Sequence, residues 1–200
     1  MKQPVFIIHG GNAFGTYDEY IAYLREKVID LGKLFSKDWK SELQEKLGED
    51  FEVYALRMPN GQNAKYLEWR IWFEKYIPFM NEEVVLVGHS LGGVFLAKYL
   101  SENHFPKKIR ATFLVAAPYN EDEGKILPEF AVTGQVLSLA EQAGMLYMYH
   151  SKDDPVVNFT EMEKYQKELP GATFRVFNDR GHFNMEDFPE IVQDIQESTK

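Results

Sequence analysis

The chain has 200 residues and contains no cysteine, so disulfides, thiol catalysis and thiolate metal sites are all excluded. Acidic residues outnumber basic ones, 31 against 22, which gives a formal net charge of −9. That balance disfavours nucleic acid and anionic membranes as partners. No apolar run approaches the roughly 20 residues that span a bilayer, and the N-terminus lacks a signal-peptide pattern. We therefore expect a cytoplasmic protein.

Common nucleotide and metal motifs are missing as well. The glycine-rich turn after the first apolar run, Gly10–Gly15 (GGNAFG), lacks the middle glycine through which a pyrophosphate approaches the backbone, so a dinucleotide-binding fold is disfavoured. The chain has no Walker A motif and no His-Glu-x-x-His helix. We expect no cofactor and no metal.

One stretch combines a strand, a turn and a helix around a single serine. Val84–Val87 is a run of four apolar residues, typical of a strand buried on both faces, and Phe95–Leu100 has helical apolar spacing. Between them lies the pentapeptide Gly88-His89-Ser90-Leu91-Gly92. This arrangement resembles the nucleophile elbow of α/β-hydrolases, in which glycines leave room around a strained serine. Ser90 is therefore the predicted nucleophile.

Strand patterns alternate with helical patterns along the whole chain. We predict strands near 5–8, 51–56, 84–87, 110–117, 145–150 and 173–177, and helices near 17–31, 37–47, 67–79, 95–100, 136–143, 159–169 and 187–195. Asn158 and Glu161 fit the N-cap and N3 positions of a capping box. The alternation predicts an α/β fold: a three-layer α/β/α sandwich with a mostly parallel sheet of about six strands. We expect a single domain over 1–200 with a small cap at about 118–144.

A serine nucleophile needs a histidine base that is itself held by a carboxylate, and α/β-hydrolases supply these in the chain order Ser, Asp, His. The five histidines are His9, His89, His104, His150 and His182. Only His182 follows the last predicted strand, and the preceding Gly181 permits a tight turn toward the site. His182 is therefore the predicted base.

Two adjacent aspartates follow the fifth predicted strand, where open α/β sheets place functional groups. The resemblance to α/β-hydrolases favours Asp154, because those enzymes commonly have Val or Ile shortly after the acid, as Asp154-Pro155-Val156-Val157 does here. Asp153 is then a turn residue that bonds its own backbone. Asp179, three residues before His182, is a third candidate and fits an exposed loop better.

Stabilising the oxyanion of an acyl-transfer reaction requires two N–H groups aimed at the developing charge. One should be the backbone N–H of Leu91 at the start of the helix after Ser90. The other should come from the loop after the first strand, and we predict Gly11, with Asn12 as the near alternative.

Several motifs occur together in an order that narrows the resemblance. They are Arg57-Met58-Pro59-Asn60, Gly88-His89-Ser90, Asp153-Asp154-Pro155 and Gly181-His182-Phe183. The chain thus resembles the compact retinoblastoma-binding-protein 9-like serine hydrolases, although Asn158 stands where members often have proline. This resemblance implies esterase-like chemistry through a covalent acyl-enzyme, without a cofactor.

The small predicted cap indicates a shallow site for a small-molecule partner, a small or short-chain acyl ester. Residues expected to line the site are Asn12, Phe14, Tyr17, Tyr119, Phe130, Val156 and Phe183. A thioesterase, amidase, peptidase or acyltransferase would use the same triad. A binding module that keeps the hydrolase fold is the other alternative, and a protein partner stays open.

Overall fold

A computed structural model of the chain describes residues 2–34, 36–120, 127, 129–134 and 136–200. The strands in these ranges are β1 (Gln3–Ile8), β2 (Phe51–Leu56), β3 (Glu83–His89), β4 (Lys108–Val115), β5 (Met145–Ser151) and β6 (Thr173–Phe177). They form one sheet in the order β2-β1-β3-β4-β5-β6, and every neighbouring pair is parallel. The predicted parallel sheet of about six strands is confirmed.

Helices connect the strands as the alternating pattern predicts. They are α1 (Tyr17–Glu26), α2 (Trp39–Leu47), α3 (Tyr66–Tyr76), α4 (Leu91–Glu102), α5 (Leu137–Gln142), α6 (Phe159–Glu168) and α7 (Pro189–Ser198), with short 3₁₀ turns at Leu31–Leu34 and Ile77–Phe79. Within the described ranges, none of the helices combines the length and apolar character that crossing a membrane requires.

Two apolar cores lie on opposite faces of the sheet. Alternate residues of β3 divide between them: Val84 and Leu86 belong to one core and Val85 and Val87 to the other, as the two-residue period of a strand dictates. Helices α3, α4, α5 and α6 bury residues in the first core, and α2 and α7 bury residues in the second. The predicted three-layer α/β/α sandwich is confirmed.

Helix α1 differs from its prediction. We expect an amphipathic helix over 17–31, but α1 ends at Glu26 and none of its residues is buried. A capping box starts it, in which the Thr16 hydroxyl accepts the Glu19 N–H at 3.2 Å and the Glu19 carboxylate accepts the Thr16 N–H at 3.1 Å. Because α2 to α7 supply both cores, the apolar residues of α1 have no core to enter.

The start of α6 also differs from its prediction. The Asn158 side chain caps the helix by accepting the Thr160 N–H at 2.9 Å. Glu161 is buried, and its carboxylate turns to the segment after β4, where one oxygen accepts the N–H groups of Tyr119 and Asn120 at 2.7 and 2.8 Å. The Glu161 carboxylate thus binds the segment after β4 and does not complete the capping box predicted at the start of α6.

Candidate active site

Ser90 occupies a strained position between β3 and α4. Its φ of 56° and ψ of −120° lie outside the regions that residues with side chains normally adopt, at a cost on the order of 1–3 kcal/mol. The surrounding structure supports this conformation, since the Ser90 N–H donates to the Val115 carbonyl of β4 at 2.8 Å. The serine side chain therefore stands at the carboxyl edge of the sheet.

The glycines around Ser90 are required by close backbone approaches. A Cβ at Gly88 would lie 2.4 Å from the Gly92 carbonyl oxygen, and a Cβ at Gly92 would lie 2.3 Å from that of Ile8. A Cβ at Gly93 would lie 2.7 Å from the Ala117 Cβ, so this glycine lets α4 pack closely on the chain after β4. These contacts explain the glycine pattern of the elbow.

Three side chains predicted to act together form a continuous hydrogen-bonded chain. His182 Nε2 lies 2.9 Å from Ser90 Oγ, and His182 Nδ1 lies 2.8 Å from Asp154 Oδ2. The Asp154 side chain is fully buried, and its Oδ1 accepts the N–H groups of Val156 and Val157 at 2.8 and 3.1 Å. The carboxylate is therefore fixed from behind while it faces the imidazole.

The hydrogen-bond partners of His182 determine its tautomer. A carboxylate oxygen only accepts, so the Nδ1 proton points to Asp154 and Nε2 presents its lone pair to Ser90 Oγ. In this arrangement the serine hydroxyl donates to the imidazole, which is the geometry that proton removal requires.

The other candidate acids occupy different positions. Asp153 Oδ1 accepts the Ser151 hydroxyl at 2.5 Å and the Gly181 N–H at 3.0 Å, so it anchors the loop that carries His182. Asp179 is exposed and lies 3.8 Å from the Arg180 guanidinium. Of these three aspartates, Asp154 is the one whose described hydrogen bonds reach the His182 ring.

Leu91 and Gly11, whose backbone amides are the ones predicted for an oxyanion hole, line the same cavity as Ser90. Leu91 opens α4, where the helix dipole favours negative charge. In the loop after β1, the Asn12 N–H donates to the Gly61 carbonyl at 2.9 Å, whereas the Gly11 N–H has no acceptor among the described residues. Gly11 also borders Leu91, since a Cβ there would lie 3.2 Å from Leu91 Cδ2. Of the two loop amides, only that of Gly11 is free to receive an oxyanion.

A cavity of about 610 Å³ opens beside Ser90, and Gly11 and Leu91 also line it. Three predicted pocket residues, Asn12, Phe14 and Val156, lie on its wall.

Helix α1 forms another wall of this cavity. It contributes Glu19, Ala22, Tyr23 and Glu26, which share one helical face. The helix that buries nothing in either core therefore borders the cavity next to Ser90.

Two described residues of the segment predicted as a cap border the cavity. Residues 121–126, 128 and 135 of that segment lie outside the described residues. Of the others, Pro118 and Leu127 line the cavity.

Four predicted pocket residues lie elsewhere. Phe183 is fully buried in the core under α2 and α7, because its φ of 52° turns the chain and directs its ring against Phe177 and Phe188. Tyr119 and Phe130 are buried in the opposite core. Tyr17 is 69% exposed and is not among the residues that line the cavity. None of these four residues is among those that line the described cavity.

The pattern of the sequence did not reveal the residues that hold the His182 loop. His89 Nε2 lies 2.9 Å from the His182 carbonyl oxygen, and the Trp39 indole N–H donates to the Phe183 carbonyl at 2.9 Å. On the other side of His182, the Arg180 N–H donates to Ser151 Oγ at 3.1 Å. These partners lie far apart in the chain, so no local motif could have indicated them.

A second buried histidine stands behind the acid. His150 Nε2 donates to the Val157 carbonyl at 3.0 Å and lies 3.8 Å from Asp154 Oδ2. Burial lowers the pKa of His150, which keeps its ring neutral near pH 7. Among the described residues, no group of three or more His, Cys, Asp or Glu side chains could hold a metal ion.

Comparison with known proteins identifies the family. The family model described as serine hydrolase matches residues 34–192. This chain belongs to the serine hydrolase family. The rat serine hydrolase RBBP9 is 25% identical to it over 150 residues, which cover 73% of this chain and 77% of RBBP9. The predicted resemblance to retinoblastoma-binding-protein 9-like hydrolases is confirmed.

Other relatives share the fold at lower identity. YdeN of Bacillus subtilis (strain 168) is 23% identical over 190 residues, covering 92% of this chain and 87% of YdeN. Its crystal structure superposes with a TM-score of 0.79 at 20% identity over 99% of each chain. Naproxen esterase (carboxylesterase NP) from B. subtilis superposes with a TM-score of 0.66 at 11% identity, covering 100% of this chain and 84% of the esterase. These likenesses show the α/β-hydrolase fold.

Proposed function

We propose that this serine hydrolase cleaves small or short-chain carboxylic esters through an acyl-enzyme on Ser90. The observation that carries this proposal is the hydrogen-bonded chain from Asp154 through His182 to Ser90, which ends at the wall of an open cavity. A serine hydroxyl is a weak nucleophile near neutral pH, and a base 2.9 Å away removes that obstacle.

Acylation follows from these positions. Ser90 Oγ attacks the ester carbonyl carbon while its proton moves to His182 Nε2, and the carbonyl oxygen takes up the negative charge. The N–H groups of Leu91 and Gly11 donate to that oxygen, and each such donor contributes about 10²–10³ in rate. When the tetrahedral intermediate collapses, the C–O bond to the alcohol breaks and the alcohol leaves with the proton from His182.

Deacylation repeats the same steps with water. Water gives a proton to His182 Nε2 and attacks the carbonyl carbon of the acyl-Ser90 ester. The bond between the acyl carbon and Ser90 Oγ then breaks, Oγ takes the proton back from His182, and a carboxylic acid departs. In both halves Asp154 stabilises the imidazolium and holds the ring with Nδ1–H inward. No oxidant, reductant or cofactor enters this balance.

The cavity supports a small substrate. Its volume of about 610 Å³ lies within the range of pockets that hold small molecules, and Phe14, Leu127 and Val156 give it apolar walls suited to a short acyl chain. A series of p-nitrophenyl esters tests this directly: kcat/KM should be highest for the short acyl chains and fall with length. Best turnover on a long chain would contradict the size assignment.

Matched donors test the bond type. An oxygen ester, a thioester and an amide of one short acyl group should be cleaved in that order of preference under the proposal. A strong preference for the thioester would instead make the protein a thioesterase with the same triad.

Labelling by a fluorophosphonate tests the nucleophile. The wild-type chain should be labelled at Ser90, and Ser90→Ala should not be labelled. Ser101→Ala is the matched control, because Ser101 lies near the far end of α4 and donates to the Ala97 carbonyl. Undiminished labelling of Ser90→Ala would remove Ser90 from the proposed role.

A further inference from the structure

His89 is a buried polar side chain that the acyl-transfer steps do not use. It directly precedes Ser90, and only 4% of its surface is exposed. Its Nε2 lies 2.9 Å from the His182 carbonyl oxygen, and because a carbonyl only accepts, Nε2 must carry the proton. A buried histidine next to the nucleophile therefore donates to the backbone of the base.

The charge state of His89 suits a fixed donor. Burial is the main cause that lowers its pKa well below the usual value, and the nearby charges of Lys40 and His182 act in the same direction. Its ring centroid lies 5.0 Å from that of His182. A neutral ring at that distance does not oppose the imidazolium that His182 forms in each half-reaction, whereas a protonated ring would.

The hydrogen bond from His89 is made to the loop between β6 and α7, which has no regular secondary structure around His182. Phe183, the next residue, has a φ of 52°, so the chain turns sharply directly after His182. Trp39 holds the Phe183 carbonyl from α2, and Asp153 holds the Gly181 N–H from the turn after β5. His89 supplies the hydrogen bond that is made to the His182 backbone itself.

Two hydrogen bonds connect His182 to the Ser90 region, one through the His182 ring and one through its backbone carbonyl. The His182 ring meets Ser90 Oγ at 2.9 Å, and the His182 carbonyl meets His89, which shares a peptide bond with Ser90. We propose that His89 is a positioning residue that sets the distance from His182 Nε2 to Ser90 Oγ through the His182 carbonyl. This inference rests on the proposed function, and it adds a residue that holds the base rather than one that touches substrate.

Two substitutions separate the donor from the ring. His89→Phe keeps an aromatic ring and removes the N–H, whereas His89→Gln loses the ring and keeps an amide N–H at comparable reach. A displacement of about 1 Å between reacting groups costs about 10²-fold in rate, so we expect kcat of His89→Phe to fall by about 10²-fold with KM nearly unchanged. His89→Gln should recover activity to within about 10-fold of wild type on the same argument.

His104→Phe is the matched control. His104 is exposed and lies beyond the C-terminal end of α4, about 18 Å along the helix from Ser90 at 1.5 Å per residue. This variant should keep the wild-type kcat. If His89→Phe does not accumulate as folded protein, the smaller His89→Leu tests the same loss of the donor.

The experiment measures the rate constant for fluorophosphonate labelling of Ser90 together with kcat and KM on a short ester. Absence of labelling at Ser90 in the wild-type chain would overturn the proposed function. Normal labelling of Ser90 in wild type with an unchanged rate in His89→Phe would overturn the role of His89 alone. Equal losses in His89→Phe and His89→Gln would also overturn it, because the N–H would then make no difference. Loss in His89→Phe with recovery in His89→Gln supports it.

Discussion

Replacing Asp154 with asparagine should reverse the tautomer of His182 without disturbing the fold. Asp154 Oδ1 accepts the N–H groups of Val156 and Val157 at 2.8 and 3.1 Å, while Oδ2 accepts the His182 Nδ1 proton at 2.8 Å. Asparagine has a single acceptor oxygen, which stays with the two amides, so its NH₂ group faces Nδ1. The imidazole must then carry its proton on Nε2, where it can no longer take one from Ser90.

The expected cost follows from this change of tautomer. Reversing the tautomer in a serine triad lowers kcat about 10⁴-fold, which corresponds to about 5.5 kcal/mol in the barrier at 1.36 kcal/mol per tenfold. The opposite rotamer of asparagine would turn its NH₂ group toward the N–H groups of Val156 and Val157, and the loss of an acceptor at the buried Val157 alone costs about 1–3 kcal/mol. The rotamer that disables His182 is therefore favoured.

Asp153→Asn is the matched control for Asp154→Asn. Asp153 Oδ1 accepts both the Ser151 hydroxyl and the Gly181 N–H. Asparagine keeps one acceptor oxygen, which is enough for both hydrogen bonds. Its kcat on a short ester should stay within about 10-fold of wild type, and thermal melting should show both variants folded. A severe loss in Asp153→Asn with a mild loss in Asp154→Asn would refute the assignment of the acid.

The two buried histidines and the loop after β1 lead to further predictions. Burial lowers the folded-state pKa of His89 and of His150 below the usual 6.5. Below pH 6.5 the unfolded chain therefore binds protons that the folded chain excludes, so the protein becomes less stable as the pH decreases. Each histidine should lower the free energy of unfolding by up to about 1.4 kcal/mol per pH unit there; urea unfolding above and below that pH measures this, and a pH-independent midpoint would contradict it. Gly11→Ala places a Cβ 2.5 Å from the Gly61 carbonyl oxygen, so the loop must shift. Its kcat should fall about 10²-fold, whereas Gly171→Ala, whose Cβ meets nothing within 4 Å, should match wild type.

The features that the sequence predicted correctly are those with local signals. Apolar runs marked the strands, and glycines around Ser90 marked the elbow because close backbone contacts exclude side chains there. The contact between Asp154 and His182 could be anticipated because each residue follows the carboxyl end of a strand. In a parallel sheet those ends meet at one edge, so chain order was enough to bring them together.

The features that the sequence did not predict depend on tertiary contacts. An aromatic residue beside the site can face the cavity or the core, and the left-handed backbone of Phe183 sends it to the core. The period of α1 indicated a helix but not which surface it would meet. His89 donates to a carbonyl 93 residues away, a pairing that exists only after the sheet has formed.

Detection of an acyl-enzyme is the most direct test of Ser90 as the nucleophile. The chain is mixed with p-nitrophenyl acetate, quenched with acid during turnover, digested and analysed by mass spectrometry. We expect one acetyl group on the peptide that contains Ser90, and a burst of about one nitrophenol per chain before steady turnover, as an accumulating acyl-enzyme requires. Hydrolysis that continues in Ser90→Ala, or an acetyl group on another residue in the wild-type chain, would contradict it.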